Sequence, residues 1–352
     1  MERIRRVHAP LFFVPGLALE AAVRVRNAFH DRGALGRNRL GSPTISIGNL
    51  TVGGTGKTPL VIHTARIIAR TGAVPVVLTR GYGRPSPRKS ILVGPATEFR
   101  EPARDMGDEA ALIRRHIPEA WFGIAKDRFH AGSRIGPSAG TRAFVLDDGF
   151  QHRKLHRDLD IVVIDASRPL LSDRMFPRGT LREPVSGLRR CHAVVINGKT
   201  GPDADTDRVA SEIRALGLTA DVFLCEQSIE RLVPFEAWAR GAHHARLEGP
   251  MPPVFLVAAL GNPQRFQNDV RKHGARVLGA RFFRDHHRLD SDDWEACVRL
   301  ARGSGARAFV TSEKDAMKIS VPPSFPLLVS LQTTRIQGED AYADLIRRTL
   351  EI

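Results

Sequence analysis

The chain has 352 residues, 42% of them hydrophobic and 26% charged, with a formal net charge of +15 and three cysteines. That length accommodates about two domains of ~150 residues, and the composition fits a soluble globular protein. Cys191, Cys225 and Cys297 are far apart and form no CxxC, which argues against a disulfide scaffold or a zinc site and for a reducing compartment. Most of the positive charge is arginine; it calls for an anionic partner, nucleic acid or an acidic membrane surface, unless it is scattered charge with no partner.

The first 40 residues start basic (Arg3, Arg5, Arg6) and turn apolar. Pro15 and Glu20 interrupt the run and no clean small-residue cleavage site follows, which argues against a signal peptide. The stretch is also too short and too charged to span a bilayer. From Leu17 to Phe29, apolar residues mix with Arg24 and Arg26. Such a helix suits the plane of a membrane interface or the surface of a domain core, and the sequence leaves both open.

Thr44–Pro59, TISIGNLTVGGTGKTP, carries the strongest signal. Alternating Ile45 and Ile47 predict a buried strand, glycines break it, and Gly56-Lys57-Thr58 opens a helix. Strand, glycine loop and helix are the setting of a phosphate-binding loop. Glycines let backbone N–H groups curl around an anion, and the helix N-terminus adds unpaired donors and partial positive charge. The nucleotide-binding stretch is Thr51, Val52, Gly53, Gly54, Thr55, Gly56, Lys57 and Thr58. Lys57 would reach the β- and γ-phosphates, and the Thr58 hydroxyl would hold Mg²⁺. The strict pattern asks for glycine where this chain has Thr51; Gly53 and Gly54 supply the flexibility.

Strands and helices then alternate. Val74–Leu78 is a strand ending in Arg80-Gly81-Tyr82-Gly83-Arg84, at the carboxyl end where open α/β sheets bind ligands. Asp108 and Glu109 open a helix, where they either cap it or do chemistry. Trp121–Ala125 is a strand followed by Arg128. Ala143–Leu146 ends in Asp147-Asp148-Gly149-Phe150-Gln151-His152; aspartate after an apolar strand is how a second magnesium-organising group appears in phosphate-loop enzymes. Leu159–Asp165 and Cys191–Asn197 complete a doubly wound parallel sheet over 41–221. Residues 222–250 read as a connecting segment, because alternation weakens and Pro234 and Gly241 interrupt it. A smaller α/β unit follows over 251–352, with polar groups again at strand ends.

Together the motifs ISIGNLTVGGTGKTP, TRGYGR, GDEA, DDGFQHR, GTLREP, ALGNPQRF, RDHHRL and TSEKDAMK resemble the tetraacyldisaccharide 4′-kinase family, usually called LpxK. The resemblance runs across most of the chain. It implies a P-loop kinase domain, a smaller C-terminal domain and a membrane-associating N-terminal helix. It also implies transfer of the γ-phosphoryl of ATP, with Mg²⁺, to the 4′-hydroxyl of a tetraacylated disaccharide 1-phosphate, giving lipid IVA. Family members are peripheral proteins of the bacterial inner membrane, so the expected place is its cytoplasmic face and the expected partners are the lipid A disaccharide 1-phosphate and an anionic membrane. A monomer is expected, with no nucleic-acid partner.

Carried over residue by residue, the resemblance makes Asp108 the base and His286 its partner, with His287 as neighbour. Lys57 and Thr58 match the phosphate-loop lysine and magnesium hydroxyl. Asp147, Asp148 and His152 match the second carboxylate motif, Arg182 and Glu183 its Arg-Glu pair, and Tyr82 the aromatic of its glycine loop. Metal ligation stays open among Asp147, Asp148 and Glu183 beside Thr58, and Tyr82, Arg128, His152 and Arg182 count as substrate-binding or supporting residues. Ala110 stands where the family usually has proline, and Leu289 where an aromatic is common. A sugar hydroxyl is a poor nucleophile, so a carboxylate in reach of its proton suits the reaction, and closure of the two domains would assemble the site. The alternative is a membrane-associated P-loop switch ATPase, whose loops carry an extra lysine where this chain has Thr51 and Val52. A GTPase is not supported, since no Asn-Lys-x-Asp reader is present.

Overall fold

The computed structural model describes residues 13–86, 89–135, 141–198, 205–242, 244–245, 247, 249–285 and 287–351. Arg3, Arg5, Arg6 and His286 lie outside the described residues.

The apolar runs form strands β1 (Thr44–Gly48), β2 (Val74–Thr79), β3 (Ile91–Val93), β4 (Trp121–Ile124), β5 (Arg142–Asp147), β6 (Leu159–Asp165), β7 (Ala193–Asn197), β8 (Asp221–Pro234), β9 (Val254–Ala258), β10 (Val277–Phe282), β11 (Ala308–Ser312) and β12 (Leu327–Ile336). Among the described residues they make one twelve-stranded sheet in the order β10-β9-β11-β12-β8-β7-β6-β1-β5-β2-β4-β3. The pairs β3–β4 and β8–β12 are antiparallel, and the rest are parallel. Strands β1, β6, β7, β9 and β11 are buried along their whole length. Helices on both faces explain why they are continuous apolar runs rather than half-polar ones.

Strand β1 lies between β5 and β6, so its carboxyl end is a switch point of the sheet, where the crossovers diverge and leave a crevice. The helix Lys57–Arg70 returns over the sheet with Leu60, Val61, Ala65 and Ile68 packed against Ile45, Ile47 and Val145. The last helix, Glu339–Leu350, joins this same core through Tyr342, Ile346 and Leu350. Tyr342 OH lies 2.7 Å from Thr64 Oγ1. The chain therefore ends on its first half. A separate core, with Phe255, Trp294, Phe309 and Val329, fills the C-terminal half.

The stretch read as a connector instead contains β8. Its residues 221–225 pair parallel with β7, and residues 225–234 pair antiparallel with β12. Phe223, Cys225, Gln227 and Ile229 point inward at every second position, which is strand periodicity with one polar residue among the inward four. Across the junction, His116 Nε2 is 3.0 Å from Glu313 Oε2; the other oxygen of Glu313 accepts from Trp238 Nε1 of its own half at 3.0 Å.

The N-terminal helix spans Phe13–Asp31. Gly16, Asn27 and His30 are buried, and Leu17, Ala18, Ala21, Ala22, Val25 and Phe29 are exposed, Val25 by 55% and Phe29 by 50%. At 100° per residue the exposed set forms one apolar stripe, with Arg24 and Arg26 on its two flanks. The inward side packs Val23 on the core but is otherwise small and polar, and is fastened by ionic and hydrogen bonds: Arg178 to Glu20 at 2.6 Å, Asn27 to Glu183 at 3.3 Å, and Arg153 to the Asn27 carbonyl at 3.1 Å. Among the described residues, no helix is long and apolar enough to cross a membrane.

Candidate active site

The phosphate loop leaves β1 and turns into the helix at Gly56, which adopts a left-handed conformation, φ 91°. The loop is clamped from behind. Asn197 Nδ2, at the end of β7, donates to the Thr55 carbonyl (2.9 Å) and to Gln227 Oε1 (2.9 Å). Gln227 Nε2, on β8, donates to the Gly56 carbonyl at 2.8 Å. With these carbonyls held away, the left-handed turn at Gly56 and the start of the helix keep the shape that suits an anion. On the flank, Val52 N donates to the Thr180 carbonyl at 2.7 Å, and Arg168 donates to the Val52 carbonyl at 3.2 Å.

Lys57 is the loop's positive charge. Its Nζ donates to Asn49 Oδ1 at 3.0 Å and stands 3.4 Å from Asp148 Oδ1. Asp148 also receives Arg182 Nη1 at both oxygens, 2.9 and 2.7 Å. Burial opposes ionisation of Asp148, but Lys57 and Arg182 outweigh it and hold its carboxyl below the usual range. Asp148 has φ 54°, a left-handed backbone rare for a residue with a side chain. Its neighbour Asp147 is buried and accepts from Thr79 Oγ1 at 3.2 Å. Burial, reinforced by Glu109 and Asp148, pushes Asp147 up to about 7. Two adjacent carboxylates thus sit in opposite regimes, one kept charged and one resisting charge.

These groups open on a cleft of about 820 Å³ between the two halves, within the range of small-molecule sites. Lys57, Thr58, Tyr82, Asp148 and Arg182 line it from one side, and Gly261, Asp285 and Lys314 from the other. The halves approach closely, since a Cβ built on Gly261 would lie 4.0 Å from Gly54 N and 3.3 Å from Asp285 Oδ2. Lys314 Nζ reaches Glu109 Oε1 at 3.6 Å and Asp285 Oδ1 at 3.5 Å. Burial works against its charge, but Glu109 and Asp285 prevail and raise its pKa.

Over residues 9–351 the chain matches the family Tetraacyldisaccharide-1-P 4'-kinase (LpxK). It is 37% identical over 350 residues to the tetraacyldisaccharide 4'-kinase of Anaeromyxobacter sp. (strain Fw109-5), covering 97% of this chain and 91% of the relative. It is 32% identical over 358 residues to that of Chlorobium limicola (strain DSM 245 / NBRC 103803 / 6330), covering 97% and 98%. This chain belongs to the tetraacyldisaccharide-1-P 4'-kinase family. Its fold is similar to a crystal structure of the "apo" form of LpxK from Aquifex aeolicus in complex with ATP, with TM-score 0.74, 24% identity, and coverage of 97% of this chain and 99% of that one.

Against the residues expected of a kinase of this family, the structure gathers Lys57, Thr58, Tyr82, Asp148 and Arg182 around one cleft. Asp147 is buried beside Asp148, and Arg128, itself buried, interacts electrostatically with both. Asp108 is buried as the first residue of the helix Asp108–His116. His152 is held neutral, its pKa lowered to about 4 by burial and then by Arg128. His287 is engaged elsewhere, with Nε2 2.6 Å from Asp293 Oδ2 and its ring stacked on Phe283. Glu183, expected among the metal ligands, is fully buried and bound by Asn27 (3.3 Å), Gln151 (2.9 Å) and Arg190 (2.9 Å). It braces the N-terminal helix. Thr51 is bridged to Leu181 at the rim of the loop. Among the described residues, no three His, Cys, Asp or Glu side chains converge as a metal cluster.

The sequence reading missed Asn197 and Gln227. For Asn197 a signal existed, a polar residue closing the apolar run Ala193–Ile196 at a strand's carboxyl end. For Gln227 no pattern marked it, because its meaning comes from the loop it touches.

Proposed function

We propose that this chain transfers the γ-phosphoryl group of ATP to the 4′-hydroxyl of tetraacyldisaccharide 1-phosphate, giving lipid IVA. The observation that carries the reading is the shared cleft: a phosphate loop with Lys57 and Thr58 on one wall, and on the other a face of mixed charge, with Lys314 and Asp285, from a second half of the chain. Phosphoryl transfer needs positioning and charge stabilisation more than covalent chemistry. The loop N–H groups hold the phosphates, and Lys57, already held by Asn49 and Asp148, swings to the β- and γ-oxygens. Arg182 stays with Asp148 and keeps that carboxylate ionised.

The donor set suits Mg²⁺. Thr58 stands in the first turn of the helix and shares the cleft with Asp148, which follows Asp147 at the end of β5; a hydroxyl and one or two carboxylates, completed by phosphate oxygens and water, is how this ion is held. When bound, Mg²⁺ neutralises charge on the β- and γ-phosphates.

We assign the base to Asp108, with His286 as its partner. Asp108 stands at the start of a helix beside the cleft, next to Glu109 that lines it. The outward apolar stripe of the N-terminal helix, flanked by Arg24 and Arg26, supports peripheral seating on the anionic cytoplasmic face of the inner membrane. The protein acts there as a monomer.

The test is transfer from γ-labelled ATP with Mg²⁺ to tetraacyldisaccharide 1-phosphate in mixed micelles, beside Lys57→Ala and Asp108→Asn. Labelled lipid should form, vanish with Lys57→Ala, and fall by roughly 10²–10⁴-fold with Asp108→Asn while ATP binding persists. ATP hydrolysis without labelled lipid would overturn the reading.

A further inference from the structure

A second concentration of buried charge lies where the two halves meet. The Lys318 side chain is 2% exposed, with Nζ 2.7 Å from Asp315 Oδ1 and 4.0 Å from Asp108 Oδ2. It also donates to the His287 carbonyl at 3.2 Å. One helical turn earlier, Lys314 meets Glu109 at 3.6 Å and Asp285 at 3.5 Å. Two lysines from the C-terminal half thus face two successive carboxylates on the first turn of the helix Asp108–His116.

Asp315 does not need this ammonium for its placement alone. Its Oδ2 accepts from Ala259 N at 3.0 Å and from Ser312 Oγ at 2.8 Å. It is a fixed post from which Lys318 reaches across. On the other side, the backbone at Asp108 is set by Gly107, which has φ 92° and whose added Cβ would lie 2.5 Å from the Tyr82 carbonyl. The Asp108 carboxylate lies within 4.0 Å of this ammonium, and a buried ammonium is a strong orienting neighbour. The same ammonium also holds the backbone at His287.

We infer that Lys318 is a positioning residue for Asp108, reaching it from the opposite half of the molecule; the inference rests on the reading of Asp108 as the base. Lys318 aligns the carboxylate for proton transfer and ties that alignment to the docking of the C-terminal half. Its loss acts on turnover, since it is not among the residues lining the nucleotide cleft.

The test compares Lys318→Met, the charge-balanced pair Asp315→Asn/Lys318→Met, and each combined with Asp108→Asn, in the full chain. Thermal unfolding and ATP binding establish folding, and the lipid-kinase assay separates kcat from KM. Expected is a loss of about 100-fold in kcat, the scale of a misplaced reacting group, with KM for ATP within about twofold, since only transition-state alignment is removed. Adding Asp108→Asn should bring no further loss, because the two residues act as one unit. Recovery of kcat in the Asp315→Asn/Lys318→Met pair would make Lys318 a mere counter-charge to Asp315 and overturn the inference. So would losses that multiply with Asp108→Asn, or loss of ATP binding in both Lys318 variants. Near-full turnover of Asp108→Asn alone would instead place the failure in the base assignment.

Discussion

Gly56→Ala probes the clamp behind the phosphate loop. At φ 91° the added Cβ would lie 2.2 Å from Gln227 Oε1 and 2.3 Å from Asn197 Nδ2. A left-handed alanine costs about 1–2 kcal/mol. Displacing the two amides forfeits the bonds to the Thr55 and Gly56 carbonyls, about 1 kcal/mol each. Lower entropy of the unfolded chain returns about 0.5–1 kcal/mol. The net is about 2–3.5 kcal/mol against the loop conformation that cradles phosphate, or roughly 30- to 300-fold in ATP affinity. Isothermal titration with ATP measures it, and thermal unfolding without nucleotide should show a lower Tm. Gly54→Ala is the control, because nothing lies within 4 Å of its built Cβ, and its nucleotide-free stability should stay within about 0.5 kcal/mol. A Gly56→Ala protein with wild-type Tm and wild-type ATP affinity would refute the clamp.

On the N-terminal helix, Val25→Asp with Phe29→Asp should abolish sedimentation with anionic vesicles and leave Tm and ATP binding unchanged, as both residues are half exposed; a large drop in Tm would mean that this face packs on protein. The imidazole of His152 is held neutral in the fold by burial, its pKa about 4, against about 6.5 unfolded. The unfolded chain therefore takes up the proton first on acidification. Stability from this site is complete above about pH 6.5 and is lost as pH falls toward 4; chemical denaturation at several pH values should show a shallower acid loss in His152→Gln. Burial pushes the thiols of Cys191 and Cys225 up to about 12 and that of Cys297 up to about 11, so a disulfide thiol reagent at pH 8 should stay silent on the native protein and count three thiols in denaturant.

The strands that carry chemistry were legible because parallel strands buried on both faces are unbroken apolar runs, and a polar cluster at the end of such a run stands out. Ile45–Gly48 before the glycine loop and Val145–Leu146 before Asp147 are of this kind. Strand β8 was not legible, because its inward row includes Gln227 and its outward row Glu226, Ser228 and Glu230. A buried glutamine in a strand interior reads as loop until its partner, the Gly56 carbonyl, is in view. The contacts of Lys314 and Lys318 with Glu109 and Asp108 span about 200 residues of sequence, and no local pattern encodes a meeting of that kind. Glu183 shows the opposite limit: its Arg-Glu motif was visible, but its bonds to Asn27, Gln151 and Arg190 were not.

Because β8 pairs with β7 over one part of its length and with β12 over the other, the two halves share a hydrogen-bonded strand instead of a slack tether. A change in cleft width would act on β8 as well as on the ion pairs that cross the junction, and the partner strand carries a register irregularity between Leu331 and Gln332. Gln227 rides on that strand with its amide on Gly56. One strand thus links the seam between the halves to the mouth of the phosphate loop through a single amide, as a keystone links two sides of an arch.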